Sequence, residues 1–101
     1  MSGDPLKSIL DLDRMVHEPA RLAILTVLSA AAEVEFLFLL KVTGLSKGNL
    51  SAQTQKLEAA GFVKTRKAFR GRMPVTSFKL TAEGKKALAA YRDQMRTLLA
   101  P

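Results

Sequence analysis

The strongest constraint on the fold is a helix pattern followed at once by two strand-like runs. "SKGNLSAQTQKLEAAG" begins with the helix-capping residue Ser46, runs as a helix to about Ala60, and ends at Gly61, which suits the left-handed position after a helix. "FVKTRKAF" and "VTSFKL" are rich in β-branched and aromatic residues, as strands are. "RGRMP" predicts the turn between them, with Gly71 at its tip and Pro74 limiting the pairing.

Two prolines predict helices in the N-terminal third of the chain. Pro5 suits the first turn of a helix, and the leucines after it predict a short amphipathic helix that ends near Val16. Pro19 opens a second helix, in which apolar residues recur at helical spacing as far as Ala31. Both segments are expected to turn an apolar face toward other parts of the protein.

The remaining segments predict one short strand and two helices. "EVEF" is a brief extended link with Val34 facing inward. A short apolar helix follows from Phe36 to Val42, and Gly44 gives its stop signal. Thr81 caps a last helix that runs to Ala100.

The order is therefore helix, helix, short strand, helix, helix, hairpin, helix. This order predicts an α+β fold, mainly α: a winged helix-turn-helix with a two- to three-stranded antiparallel sheet and terminal dimerisation helices. A chain of 101 residues suits one domain, residues 1–101. Within it we expect the helix-turn-helix at about 36–61, the wing at about 62–80 and the C-terminal dimerisation helix at about 81–100.

The positive charge is confined to the middle of the chain. The net charge of +7 divides into −3 for residues 1–35, +8 for residues 36–82 and +2 for residues 83–101. A basic excess within one structural unit is typical of a protein with a polyanionic partner. The plainer interpretation is a solvated basic face.

Several classes of function lack the residues that they need. The chain has no cysteine, so disulfides, thiolate metal sites and thiol catalysis are excluded. His17 is the single histidine, and beside Glu18 and Pro19 it suits a helix junction; no set of metal ligands has suitable spacing. We therefore expect no enzymatic activity, no cofactor and no metal. The first residues are polar and acidic, unlike a secretory signal, and "FLFLL" is far too short to span a bilayer, so a cytoplasmic protein is expected.

The stretch "LSKGNLSAQTQKLEAAGFVKTRKAFRGRMPVTSFKLTAEGKKAL" resembles the winged-helix transcriptional regulators of the MarR and ArsR type, in their compact prokaryotic form. The similarity spans about residues 19–90. It implies a homodimer that binds double-stranded DNA, with a recognition helix followed by a wing. Relatives of this type often bind small effectors between their dimer helices and DNA-binding lobes. The sequence identifies no such pocket, and no effector is assigned.

The outward positions of the predicted recognition helix suit the major groove, because they are slim, polar and free of negative charge. Asn49 and Gln53 lie one above the other, and either amide could pair with adenine. Ser46 is a helix cap in any case, and Ser51 is as well explained by packing. The candidate DNA contacts on this helix are Ser46, Lys47, Gly48, Asn49, Ser51, Ala52, Gln53 and Lys56.

The predicted hairpin carries a second group of basic residues. Arg70 and Arg72 flank Gly71 at the tip, from which arginines can enter a narrow minor groove. Charges that protect a strand edge from aggregation are the alternative explanation. The candidate DNA contacts here are Arg66, Lys67, Arg70, Gly71 and Arg72.

Both ends of the chain carry apolar stripes that predict a symmetric dimer interface. Its candidate residues are Leu6, Ile9, Leu10, Leu88, Tyr91, Met95, Leu98 and Leu99. The alternative is that the C-terminal stripe closes the core of a single copy.

The leading hypothesis is a homodimeric, sequence-specific transcriptional regulator, most simply a repressor. A winged-helix module that docks on another protein or on RNA is a second hypothesis, since a fold does not fix a function. A third is a non-specific chromosome-associated DNA binder, which would show no preference among sequences.

Overall fold

The computed structural model describes the backbone of residues 5–100 and the side chains of residues 7–100. It contains five helices and a three-stranded antiparallel sheet within that range, and it confirms the predicted order of elements. The elements are α1 (Pro5–Leu10), α2 (Pro19–Leu28), β1 (Val34–Glu35), α3 (Phe36–Thr43), α4 (Lys47–Ala59), β2 (Val63–Arg70), β3 (Met73–Leu80) and α5 (Ala82–Leu99).

The N-terminal helices are shorter than the sequence predicts. Helix α1 ends at Leu10 and not near Val16. Asp13 explains the difference, because its carboxylate accepts a hydrogen bond from the Met15 amide at 2.9 Å. Such a local bond gives the backbone an alternative to continuing the helix. Helix α2 begins at Pro19, as predicted, but ends at Leu28, so that Ala31 lies in the following loop.

The hairpin is more fully paired than the sequence predicts. Strands β2 and β3 pair from Val63↔Leu80 to Arg70↔Met73, which leaves a turn of two residues. Gly71 opens this turn with a φ of +64°, a conformation that glycine adopts without strain. The predicted limit at Pro74 was wrong: the proline lies within β3. Strand β1 pairs only with Ser77 and Phe78, so the edge of β3 beside Pro74 carries no strand, and a proline is tolerated on such an edge.

One hydrophobic core joins the helices to the sheet. Helix α2 contributes Ile24 and Leu25, α4 contributes Leu50 and Leu57, and all four side chains are fully buried. Val34 is also buried, as predicted, because β1 turns it toward this core. The core therefore fixes the inner face of α4 and leaves its opposite face to solvent.

The start of α5 is bound to the segment that follows α4 by hydrogen bonds and close packing. Thr81 caps α5 by accepting from the Gly84 amide at 3.0 Å, and its hydroxyl donates to the Gly61 carbonyl at 2.6 Å. Gly84 packs so tightly that a Cβ there would lie 2.1 Å from the Phe62 carbonyl oxygen. The hairpin that follows Phe62 is thus held in a fixed position beside α4.

Within residues 5–100, no helix is both long and apolar enough to cross a membrane.

Candidate nucleic-acid interface

Helix α4 is seated by a buried stripe and by its N-cap. Leu50, Thr54 and Leu57 are buried along its inner face. Thr54 stays satisfied there, because its hydroxyl donates to the Leu50 carbonyl at 2.9 Å. The Ser46 hydroxyl accepts from the Asn49 amide at 3.1 Å, so the predicted capping role is confirmed. The rest of the helix surface is directed away from the core.

The outward face of α4 is exposed and lacks acidic residues from Lys47 to Gln55. Ser51 and Gln53 lie at its two margins and are partly buried. Small residues near the middle of this face leave the backbone accessible, as close approach to a base edge requires. The exposed members of the face are Ser46, Lys47, Gly48, Asn49, Ala52, Gln55 and Lys56.

Two of the amide side chains of α4, Asn49 and Gln53, are hydrogen-bonded to each other, and Gln53 is also bonded to an arginine of α2. Gln53 Nε2 donates to Asn49 Oδ1 at 3.0 Å. Arg21 Nη1 donates to Gln53 Oε1 at 2.8 Å. The conformations of Asn49 and Gln53 are therefore set before any ligand arrives.

The hairpin places its basic residues on two different faces. Lys67 is directed toward α4 and lines, with Thr65 and Gln55 among others, a cleft of about 230 Å³ between the helix and the sheet. Arg66 lies on the opposite face, where it meets Glu33, the residue before β1. Arg72 stands exposed at the tip, and it makes no ion pair within residues 7–100.

The Arg66 guanidinium is engaged by Glu33. Its Nη2 lies 2.6 Å from Glu33 Oε2, and its Nε lies 3.2 Å from both carboxylate oxygens. The Ser77 hydroxyl donates to the same carboxylate at 2.8 Å. The pKa of Glu33 is lowered, mainly by the hydrogen bond from Arg66 and next by the one from Ser77. The Glu33 carboxylate in turn raises the pKa of Arg66.

Arg70 is engaged by Glu35 through a single contact, in which its Nη2 donates to the carboxylate. Glu35 lies in β1 and Glu33 directly precedes it. These two glutamates pair with Arg66 and Arg70, which are two of the four basic wing residues predicted to contact DNA. Both arginines remain more than half exposed, so a phosphate can compete for them. Contact of Arg66 and Arg70 with DNA stays a prediction. Such contact would require each arginine to exchange part of its ion pair with a glutamate for a phosphate.

Residues 20–99 match the sequence pattern of the winged helix DNA-binding domain family. The match takes in α2 to α5, and it therefore covers α4, the hairpin and the core that joins them. The chain belongs to this family. In its terms, α4 is the recognition helix and the β2–β3 hairpin is the wing.

Two individual proteins are similar to most of this chain. A protein of Methanocaldococcus jannaschii, "Uncharacterized protein MJ0432", is 34% identical over 79 residues, which are 77% of this chain and 85% of that protein. The structure of a transcriptional regulator homologue from Pyrococcus horikoshii superposes with a TM-score of 0.85 at 28% identity, covering 94% of this chain and 93% of that one. Each of these two similarities covers more than three quarters of both proteins.

The fold is also that of a larger group of regulators. A MarR-family transcriptional regulator from Silicibacter pomeroyi superposes with a TM-score of 0.67 at 19% identity, over 93% of this chain and 62% of that one. The expected winged-helix architecture of MarR type is therefore confirmed at the level of the fold.

The residues predicted to form the dimer interface fall into two groups. Leu88 and Tyr91 are buried in the core of the single chain, where Met95 and Leu98 pack against them. Leu10 and Leu99 are 72% and 76% exposed, and Ile9 is 47% exposed. The Leu6 side chain lies outside the described residues. The exposed part of the predicted interface is therefore at the ends of α1 and α5, and its contact with a second copy stays a prediction.

Two residues that lie beside the candidate DNA contacts are missing from the sequence-based set. Gln55 is exposed on the recognition helix beside the wing, and its helical position alone could have shown it. Arg21 could not be found in this way, since it reaches Gln53 across 32 positions of sequence. Only the packing of α2 on the recognition helix brings the two together.

Proposed function

We propose that the protein is a homodimeric, sequence-specific regulator of transcription that inserts its recognition helix into the major groove of DNA. The observation that carries the proposal is the exposed, acid-free face of the recognition helix from Lys47 to Lys56. Membership of the winged helix DNA-binding domain family supports it. The similar Pyrococcus horikoshii protein is described as a transcriptional regulator homologue, which points the same way.

The chemistry of the helix face suits both parts of DNA recognition. Lys47 and Lys56 would neutralise phosphates on either side of the groove, and the capped N-terminus near Ser46 offers backbone N–H groups to a phosphate. Asn49 and Gln53 would contact base edges. Gly48 and Ala52 would let the helix approach those edges closely, because they add little bulk.

The wing would add contacts from the neighbouring minor groove. Arg72 at the tip is exposed and unpaired within residues 7–100, so its guanidinium is available to the negative potential of a narrow groove. Lys67 faces the cleft beside the recognition helix and would meet the phosphates between the two grooves. Arg66 and Arg70 would contribute to the extent that phosphates replace Glu33 and Glu35.

The dimer would be built from the terminal helices. Leu10 and Leu99 would be costly to leave in water, and each is worth about 1.5–3 kcal/mol when fully buried. An open, mainly apolar groove beside Leu99 lies between α2 and α5, where Leu22 and Met95 help to line it. A symmetric pair would hold two recognition helices about 34 Å apart, one turn of DNA.

A bound dimer of this kind would regulate by occupying a promoter, which makes repression the simplest mechanism. The family relationship supports binding and not catalysis. A protein with this function works where the chromosome is, which in a prokaryotic cell is the cytoplasm.

Selection of bound fragments from a pool of random duplexes tests the proposal. We expect an enriched inverted repeat whose half-sites are centred one helical turn apart. Binding without enrichment would identify a non-specific DNA binder, and preferential binding of RNA or of protein would identify an interaction module. Light scattering on the same preparation would report whether the bound species is a dimer.

A further inference from the structure

A chain of hydrogen bonds runs from α2 to the exposed end of the recognition helix. Arg21 Nη1 donates to Gln53 Oε1 at 2.8 Å, and Gln53 Nε2 donates to Asn49 Oδ1 at 3.0 Å. Arg21 is partly buried, whereas Asn49 is exposed on the face proposed to enter the major groove. The network therefore connects a fixed side chain to one that can contact DNA.

The direction of this network follows from the chemistry of the guanidinium group. Arginine has only donors, so Gln53 must turn its oxygen toward Arg21. The Gln53 amide nitrogen then faces Asn49, and Asn49 must turn its own oxygen inward to accept from it. Each amide orientation is dictated by the donor before it, beginning with Arg21.

Arg21 is itself held in place by its surroundings. Its Nε donates to the Met15 carbonyl at 2.7 Å, and its Nη2 donates to the Arg14 carbonyl at 3.3 Å. Its backbone amide donates to the Glu18 carboxylate at 2.8 Å, within the N-terminal turn of α2. Two hydrogen bonds to the link before α2 thus hold the guanidinium that orients Gln53, and the third holds the Arg21 backbone.

The network leaves Asn49 with its N–H groups directed outward. An amide reads adenine by accepting from N6 while donating to N7, and that requires its oxygen and its nitrogen to face the base together. In this structure each oxygen is turned toward the donor before it, that of Gln53 toward Arg21 and that of Asn49 toward Gln53. Guanine instead presents the acceptor O6 where adenine presents its N6 donor, so the outward NH2 group of Asn49 can donate to guanine O6 but meets another donor in adenine.

We propose that Arg21 is a specificity-determining residue that acts through Gln53 to fix Asn49 as a hydrogen-bond donor, so that the recognition helix selects guanine over adenine. Arg21 is a positioning residue and touches no base. The inference rests on the proposed binding of the recognition helix in the major groove. It differs from the expectation drawn from the sequence alone, in which either amide could pair with adenine.

The test compares the sites selected from random duplexes by several variants. Asn49→Ala identifies the base pair in question, because the preference at that position alone should disappear. The unsubstituted protein should select guanine over adenine there by at least about fivefold. Arg21→Met should bring the ratio close to one, since both amides can then rotate. Arg21→Lys should retain the guanine preference, because an ammonium group is also a donor without an acceptor.

Gln53→Glu provides a second test in which Arg21 keeps its partner. One glutamate oxygen would accept from Arg21 and the other would face Asn49, which would have to turn its amide nitrogen inward. Asn49 would then present its oxygen and one N–H outward, so the preference should change from guanine to adenine. Gln55→Glu is the matched control, because it adds the same charge to an exposed neighbour and should weaken binding without changing the base.

Arg14→Met controls for the lost positive charge. The Arg14 side chain is exposed, and only its backbone carbonyl takes part in the network. This variant should keep the guanine preference. Circular dichroism and thermal unfolding of every variant would verify that each is folded before its sites are compared.

The outcomes separate the inference from the proposed function. Enrichment of no sequence by the unsubstituted protein would overturn both. A clear binding site with adenine at the Asn49-dependent position would overturn the inference alone. Guanine retained undiminished by Arg21→Met and by Gln53→Glu would overturn it as well, while leaving the regulator proposal intact.

Discussion

Arg66 on the wing donates hydrogen bonds to the carboxylate of Glu33, with its Nη2 2.6 Å from Oε2 and its Nε 3.2 Å from each carboxylate oxygen. The pair joins β2 to the residue before β1 and so fixes the outer face of the sheet. Both side chains are substantially exposed, so the pair contributes modestly to stability. It does, however, make that contribution depend on pH.

The first prediction concerns the acid side of the stability profile. The pKa of Glu33 is lowered in the folded protein, chiefly by the hydrogen bond from Arg66. Its stabilising effect should therefore be complete above the ordinary glutamate pKa of about 4.3, and should be lost as the pH falls through the lower folded value. Denaturant unfolding of the unsubstituted protein and Glu33→Gln should show a difference at neutral pH that shrinks in acid.

Glu58→Gln is the control for this measurement. Glu58 is an exposed carboxylate on the recognition helix and makes no ion pair within residues 7–100. Its removal should leave the acid limb of the profile as it is in the unsubstituted protein. An acid limb unchanged by Glu33→Gln would contradict the assignment of the effect to this pair.

The second prediction concerns the cations of the wing. Arg72→Ala should weaken binding to all duplexes equally and should reduce the slope of log affinity against log salt by about one. Lys86→Ala removes the same charge from an exposed position on α5, outside the proposed surface, and should leave the slope unchanged. Fluorescence anisotropy titrations at several salt concentrations would measure both. Equal slopes for the two variants would exclude a wing-tip contact.

The third prediction uses two glycines in opposite surroundings. Gly84→Ala would place a Cβ 2.1 Å from the Phe62 carbonyl oxygen, so it should destabilise the protein by about 1–3 kcal/mol despite the better helix propensity of alanine. Gly48→Ala meets nothing within 4 Å and should stabilise it by up to about 1 kcal/mol. Thermal or denaturant unfolding would measure both changes.

The same pair of variants also separates stability from binding. Gly48→Ala adds a methyl group to the proposed groove-facing surface, so affinity for the selected site should fall although stability rises. If Gly84→Ala were as stable as Gly48→Ala, the close packing of α5 on Phe62 would be refuted.

The fourth prediction concerns self-association. Leu99→Glu should convert the proposed dimer to a monomer, because it places a charge in an apolar interface. Leu37→Glu is the matched control, because Leu37 lies on α3, away from the terminal helices. The two leucines are similarly exposed, at 66% for Leu37 and 76% for Leu99. Sedimentation velocity should show a monomer for the first variant and a dimer for the second. A dimer that survives Leu99→Glu would place the interface elsewhere.

Much of the fold follows from local signals in the sequence. Ser46 and Thr81 cap helices as predicted, and Gly44 and Gly61 adopt the left-handed backbone that their positions indicated. The predicted order of elements is confirmed for the same reason. Caps, stops and alternating strands act within a few residues, where a sequence pattern can be interpreted directly.

The missed features depend on contacts between distant residues. The sequence shows Glu33 and Arg66 as charges of opposite sign, but only the sheet register brings them together. The Arg21–Gln53 bond likewise needs α2 packed against the recognition helix. Helix α1 was predicted too long because the bond from Met15 to Asp13 competes with the helix. The predicted limit on pairing at Pro74 was wrong because β1 is too short to reach Pro74, so the edge of β3 beside the proline stays open.

The most direct test of the central claim is to locate the recognition helix on DNA with a tethered cleavage reagent. The chain has no cysteine, so Ala52→Cys and Arg72→Cys each create one attachment point. The cuts on the two DNA strands are staggered in a direction that differs between the major and the minor groove. Cleavage from position 52 should show the major-groove stagger within each half-site, and cleavage from position 72 should show the minor-groove stagger nearby. Cleavage from position 52 in the minor groove, or none at a bound site, would contradict the account.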